Sequence, residues 1–100
     1  LYRYTTPTIT LTIDDIDFST VSLWRVAISG KGKRIIKEYE AGDSAIGDDT
    51  LLVTLTQEET ASMSAGDVEI QVRMKLSNGA VLATTSARVK LFDVLDKAVI

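Results

Sequence analysis

An antiparallel β-sandwich is the fold class this sequence predicts, and three observations carry it. Apolar and polar residues alternate over several segments, most fully at Val68, Ile70, Val72, Met74 and Leu76 against Glu69, Gln71, Arg73 and Lys75. A period of two puts one face in a core and the other in water. Turn signals recur between these segments, Ser77-Asn78-Gly79 being the clearest, because Asn-Gly accepts the positive φ that hairpin turns require. No long stretch carries the 3.6-residue apolar period of an amphipathic helix.

The elements follow in order. Thr8 to Ile13 reads as a strand with Ile9, Leu11 and Ile13 inward and three threonines outward, and Pro7 sits just before it, where proline costs no ladder bond. Asp14-Asp15-Ile16-Asp17 breaks the alternation as a loop. The run from Val21 to Ile28 places Trp24, Val26 and Ile28 on one face, with Leu23 out of phase, which permits a bulge. Ser29-Gly30-Lys31-Gly32-Lys33 is a turn by composition, and Arg34 to Tyr39 is its hairpin partner.

An irregular acidic stretch, Ala41 to Asp49, leads to a strand with Leu51, Val53 and Leu55 inward. Thr56-x-x-Glu59 is a capping box, so one short helical turn joins it to the Val68–Leu76 strand. After the Asn-Gly turn, Val81, Ala83, Thr85, Ala87, Val89 and Leu91 are expected to share a face of one long strand. The whole reads as a single domain, residues 1–100, all-β, an antiparallel immunoglobulin-like sandwich of six or seven strands with one short helical turn. A small barrel is the alternative.

Composition bounds function. The chain has 100 residues, 45% apolar and 25% charged, with a net charge of −3, which suits a globular domain and offers no basic footprint for nucleic acid. It has neither cysteine nor histidine. Disulfides, thiolate zinc and Fe–S clusters are excluded, as is every nucleophile activated by histidine. The expectation is therefore a non-enzyme with no cofactor and no nucleic-acid partner. No apolar run approaches about 18 residues and no charged segment precedes an apolar one, so no membrane or signal segment is expected. The sequence starts at Leu1, which leaves the compartment open.

Few residues invite chemistry. Asp14, Asp15 and Asp17 lie close together, as do Asp43, Asp48 and Asp49 in a second loop. Paired loops at one end of a sandwich could supply calcium oxygens. The EF-hand spacing is absent, and aspartate is favoured in turns for its own reasons, so no metal site is assigned. Lys31, Lys33 and Arg34 beside two glycines lack the phosphate-loop spacing and a following helix, and read as a charged hairpin tip. Trp24 alternates in phase with Val26 and Ile28 and reads as core, with a ligand-stacking platform as the alternative. Glu59 is the capping-box acid and Glu58 a solvated neighbour. The termini stand out, because chain ends are ordinarily polar. Tyr2 and Tyr4 at one end, and Val94, Leu95, Val99 and Ile100 at the other, are the candidate interface residues. They pack either on the domain itself or on a neighbouring subunit.

Four segments taken together resemble a family of small proteins, about a hundred residues long, of tailed phages and prophages of Gram-positive bacteria. They are Thr6-Pro7-Thr8-Ile9-Thr10-Leu11, Leu55-Thr56-Gln57-Glu58-Glu59-Thr60, Val68-Glu69-Ile70-Gln71-Val72-Arg73 and the closing Val99-Ile100. The Leu-Thr-Gln-Glu-Glu-Thr segment is the most specific of them. Members of that family carry a histidine after Thr-Pro-Thr, where this chain has Ile9. The resemblance implies a tail- or baseplate-associated immunoglobulin-like domain. It implies a virion location, assembly in the host cytoplasm, and other tail or baseplate proteins or further copies of itself as partners. It carries over no catalytic residue. A surface module that recognises carbohydrate or peptide is the alternative from a different class.

Overall fold

Alternation becomes strand wherever the sequence keeps its period. The computed structural model describes residues 1–84 and 86–100, and has seven strands among them. β1 (Thr8–Thr12) and β4 (Thr50–Thr54) form a two-stranded antiparallel sheet. The larger sheet runs β3 (Lys33–Glu40), β2 (Val21–Gly30), β5 (Gly66–Leu76), with β6 (Val81–Ala83) and β7 (Ala87–Leu91) sharing the far side of β5. All these pairings are antiparallel. A capped turn α1 (Gln57–Ser62) links β4 to β5.

The β2–β3 and β5–β6 hairpins stay within the larger sheet, whereas the chain crosses between sheets from β1 to β2, β3 to β4 and β4 to β5. That is the connectivity of an immunoglobulin-like sandwich, with β1 and β4 facing the β3-β2-β5-β7 layer. Between the layers lie Leu51 and Val53 from one side and Trp24, Val26, Ile28, Val68, Ile70, Val72 and Met74 from the other, all buried. Trp24 occupies the central strand where such folds keep a core tryptophan. Without a disulfide to rest on, it packs on Phe18 at 5.5 Å between ring centroids.

One irregularity follows the sequence reading and two depart from it. Pairing between β2 and β5 slips between Val21 and Leu23, the bulge that the phase break permits. Phe18–Thr20 forms a 3₁₀ turn, capped by the Asp17 side chain and burying Phe18, which the pattern does not show. The shared face expected from Val81 to Leu91 is split. Three positions between Ala83 and Ala87 oppose two between Ile70 and Arg73, so the edge carries one extra residue. An extra residue turns the strand over. Val81 and Ala83 therefore pair with Lys75 and Arg73 on the outer face, whereas Val89 and Leu91 face inward. Thr85, expected on that face, lies outside the described residues.

Turn residues meet their geometry. Gly79 has φ +91°, as the Asn-Gly hairpin requires. Gly30 serves a different need: a Cβ there would stand 2.8 Å from the sulfur of buried Met63.

Candidate functional site

The segment Leu55 to Thr60 turns out to be a clamp. Leu55 is wholly buried and anchors the segment to the core. The Thr56 hydroxyl accepts from the Glu59 N–H at 3.1 Å, and the Glu59 carboxylate accepts from the Thr56 N–H at 2.9 Å, which closes the expected capping box. The same Glu59 oxygen accepts from Lys37 Nζ at 2.7 Å, tying α1 to β3. Burial pushes the Glu59 carboxyl up, but the hydrogen bonds from Lys37 and Thr56 and the lysine charge outweigh it. The group is held below the ordinary glutamate value.

Two further polar residues of the clamp, Thr60 and Gln57, hold the chain termini. Thr60 is the buried polar residue here. Its hydroxyl accepts from the Thr5 N–H at 3.2 Å and lies 2.9 Å from the Thr5 carbonyl, to which it donates. Gln57 grips the other end: its amide donates to the Ile100 carbonyl at 2.6 Å and accepts from the Ile100 N–H at 3.0 Å. Arg3 adds a third tie, donating to the Ala61 carbonyl at 2.8 Å and to Asp93 at 3.1 Å. The sequence gives no hint of the roles of Gln57, Thr60 and Arg3. Their partners lie 43 to 90 positions away, and no local pattern encodes such contacts.

Residues 1–3 also extend the larger sheet. The Arg3 N–H donates to the Phe92 carbonyl and the Phe92 N–H to the Leu1 carbonyl, in a parallel pairing of Tyr2 with Phe92. Their rings lie 5.5 Å apart. Of the candidate interface residues, Tyr2 and Val99 are more than half exposed, and Leu95 and Ile100 are almost wholly so. Tyr4 and Val94 are half-buried, and the Arg3 guanidinium sits over the Tyr4 ring at 5.4 Å. Backbone contacts fix the termini against α1, then, while several of their apolar side chains face outward beside exposed Phe92.

The acidic loops meet only in part. Asp17 and Asp48 line one cleft of about 330 Å³ at the other end of the sandwich. The Asp17 carboxylate caps the 3₁₀ turn by accepting from the Ser19 N–H and hydroxyl, and those bonds hold it below the ordinary aspartate value. Asp43 likewise accepts from the Ala45 N–H within its own turn. Among the described residues no group of three or more carboxylates is placed to hold a metal ion. Lys31 and Lys33 flank the tip of the β2–β3 hairpin, and Trp24 is buried, with no hydrogen-bond partner for its indole N–H among the described residues.

Two further concavities flank the sheets. One, of about 780 Å³, lies beside β1 and is floored by Ile70, Val72 and Met74. The other, of about 440 Å³, lies on the outer face of the larger sheet and includes Arg25, Arg34 and Arg73. Comparison with protein-family models, with curated proteins and with solved structures returns no match.

Proposed function

We propose that this chain is a non-catalytic assembly module, a structural protein of a phage or prophage that serves in the tail or baseplate. The observation that carries the reading is the surface at the α1 end. There the clamp holds both termini by their backbones, and Tyr2, Phe92, Leu95, Val99 and Ile100 point outward. Large apolar side chains held together on a surface mark an interaction site. Setting and partners come from the resemblance of the four segments, the most specific of which is the clamp itself. Purified particles of the encoding phage, analysed by mass spectrometry, test it. The chain should be present in fixed proportion to the tail proteins, and its absence from intact particles would overturn the reading.

One observation favours a second reading, a surface module that binds peptide or carbohydrate. Arg25 and Arg73 stand directly opposite each other on β2 and β5, an unfavourable pairing in isolation. Arg34 joins them around the outer cleft. Glu38 pairs with Arg25, and an acidic ligand would complete the balance.

A further inference from the structure

Sheet edges are where β-domains aggregate, so each edge needs a device that blocks pairing. On the larger sheet, β3 carries Lys33, Arg34, Lys37, Glu38 and Glu40 in eight residues. The opposite edge consists of β6, only three residues long, and β7, whose end residues 1–3 meet at Lys90 and Phe92 and whose Arg88 and Lys90 are charged. On the small sheet, the outer side of β4 is bonded to the loop before it: the Leu52 N–H donates to the Ala45 carbonyl and the Gly47 N–H to the Thr50 carbonyl. β1 differs from all of these. Among the described residues its outer side has no strand neighbour, and Thr8-Ile9-Thr10-Leu11-Thr12 contains no charge, proline or glycine.

We propose that β1 is a self-association edge. Two copies pair their β1 strands antiparallel about a two-fold axis at Thr10, which joins two small sheets into one of four strands. The register allows it. The Ile13 N–H donates to the Asp49 carbonyl and the Leu55 N–H to the Pro7 carbonyl, so the odd positions of β1 bond to β4. In an antiparallel ladder the alternate positions face the other way, so Thr8, Thr10 and Thr12 offer their N–H and C=O groups outward. Pairing about Thr10 sets Thr8 opposite Thr12 of the second copy and Thr10 opposite its equivalent, so every outward group meets a complement. The solvent face becomes a row of threonine pairs, a favourable cross-strand combination. Thr8 and Thr54 already show one such pair, with hydroxyls 3.0 Å apart. A contact that uses the same patch on both copies closes at two and does not propagate.

The cleft beside β1 fits this occupant. The cleft of about 780 Å³ adjoins β1 from Thr10 to Thr12 and continues past its end to Ile16, so it leaves space beside the second half of the strand, where Thr8, Ile9 and Thr10 of the second copy would lie. Ile9 and Leu11 are only half-buried in the single chain. In the pair, Ile9 and Leu11 of the second copy would continue the inner face over Val72, Met74 and Leu82, which line the cleft. The proposal leans on the assembly reading for its biological setting alone.

Analytical ultracentrifugation of the full chain tests it with charge-swapped variants. Thr10 is exposed on the solvent face, so Thr10→Lys and Thr10→Glu leave the core untouched, and circular dichroism checks that each folds. The wild type should sediment as a dimer at high concentration. Each variant alone should be a monomer, because like charges meet at the axis, and an equal mixture of the two should recover the dimer. Removal of residues 94–100 should leave the wild-type dimer intact. A wild type that stays monomeric, or a Thr10→Lys chain that still dimerises, overturns the proposal. A dimer lost on tail removal but kept by Thr10→Lys overturns it too, and moves self-association to the termini. Neither result touches the assembly reading, which particle composition decides.

Discussion

At the residue scale, the core rests on a few side chains whose loss is measurable. Trp24 is 1% exposed and packs against Phe18 with the two rings tilted. Trp24→Ala should cost about 3–5 kcal/mol in urea unfolding, the usual loss for a large buried aromatic. Trp24→Phe should cost much less, since the indole N–H makes no hydrogen bond among the described residues. A loss under about 1 kcal/mol for the alanine variant would move Trp24 out of the core. Gly30 offers the opposite test, overfilling. Its missing Cβ leaves room for Met63, so Gly30→Ala should destabilise by about 1–3 kcal/mol. An unchanged midpoint would show that Met63 repacks freely.

At the element scale, α1 is worth following through pH. The Glu59 carboxyl is held below its ordinary value, so its contribution is fully present above the unfolded glutamate value. It is lost as pH falls through that range and below the folded value. The wild type should lose stability across this acid window, and Glu59→Gln should show a flatter profile, because glutamine keeps the cap without a titrating charge. Equal acid slopes for the two proteins would contradict the role given to the Lys37–Glu59 pair. Gln57 governs the tail by the same local logic. Gln57→Ala should speed amide exchange at Ile100, whose N–H it accepts, with little change in global stability. Unchanged exchange would remove Gln57 from the clamp.

Much of this architecture is legible in the chain itself. Period-two runs at Thr8–Thr12, Thr50–Thr54 and Gly66–Leu76 became strands with the expected faces, because burial on one face leaves no other register. The capping box was legible because its two partners stand three residues apart. The edge strand is not legible because one extra residue reverses every later side chain, and what accommodates it, the Thr84 hydroxyl accepting from the Val72 N–H, is visible only in the fold. The clamp was half legible. Its helical start could be read locally, whereas its hold on Thr5 and Ile100 depends on chain ends brought back from far along the sequence.

At the scale of the whole molecule, the domain is long and narrow, 47 × 23 × 18 Å. Its termini are tied at the α1 end and its acidic loops lie at the other, and β1 leads from one to the other along the side. An end surface and a side edge would let one small domain make two different contacts, as the proposed assembly role asks. The most direct test of the assembly claim is incorporation of a Leu95→Asp, Ile100→Asp variant into particles of the encoding phage. Both side chains are almost wholly exposed, so the melting temperature should not move, while incorporation should fall to background. A variant that enters particles at the wild-type level would contradict the account.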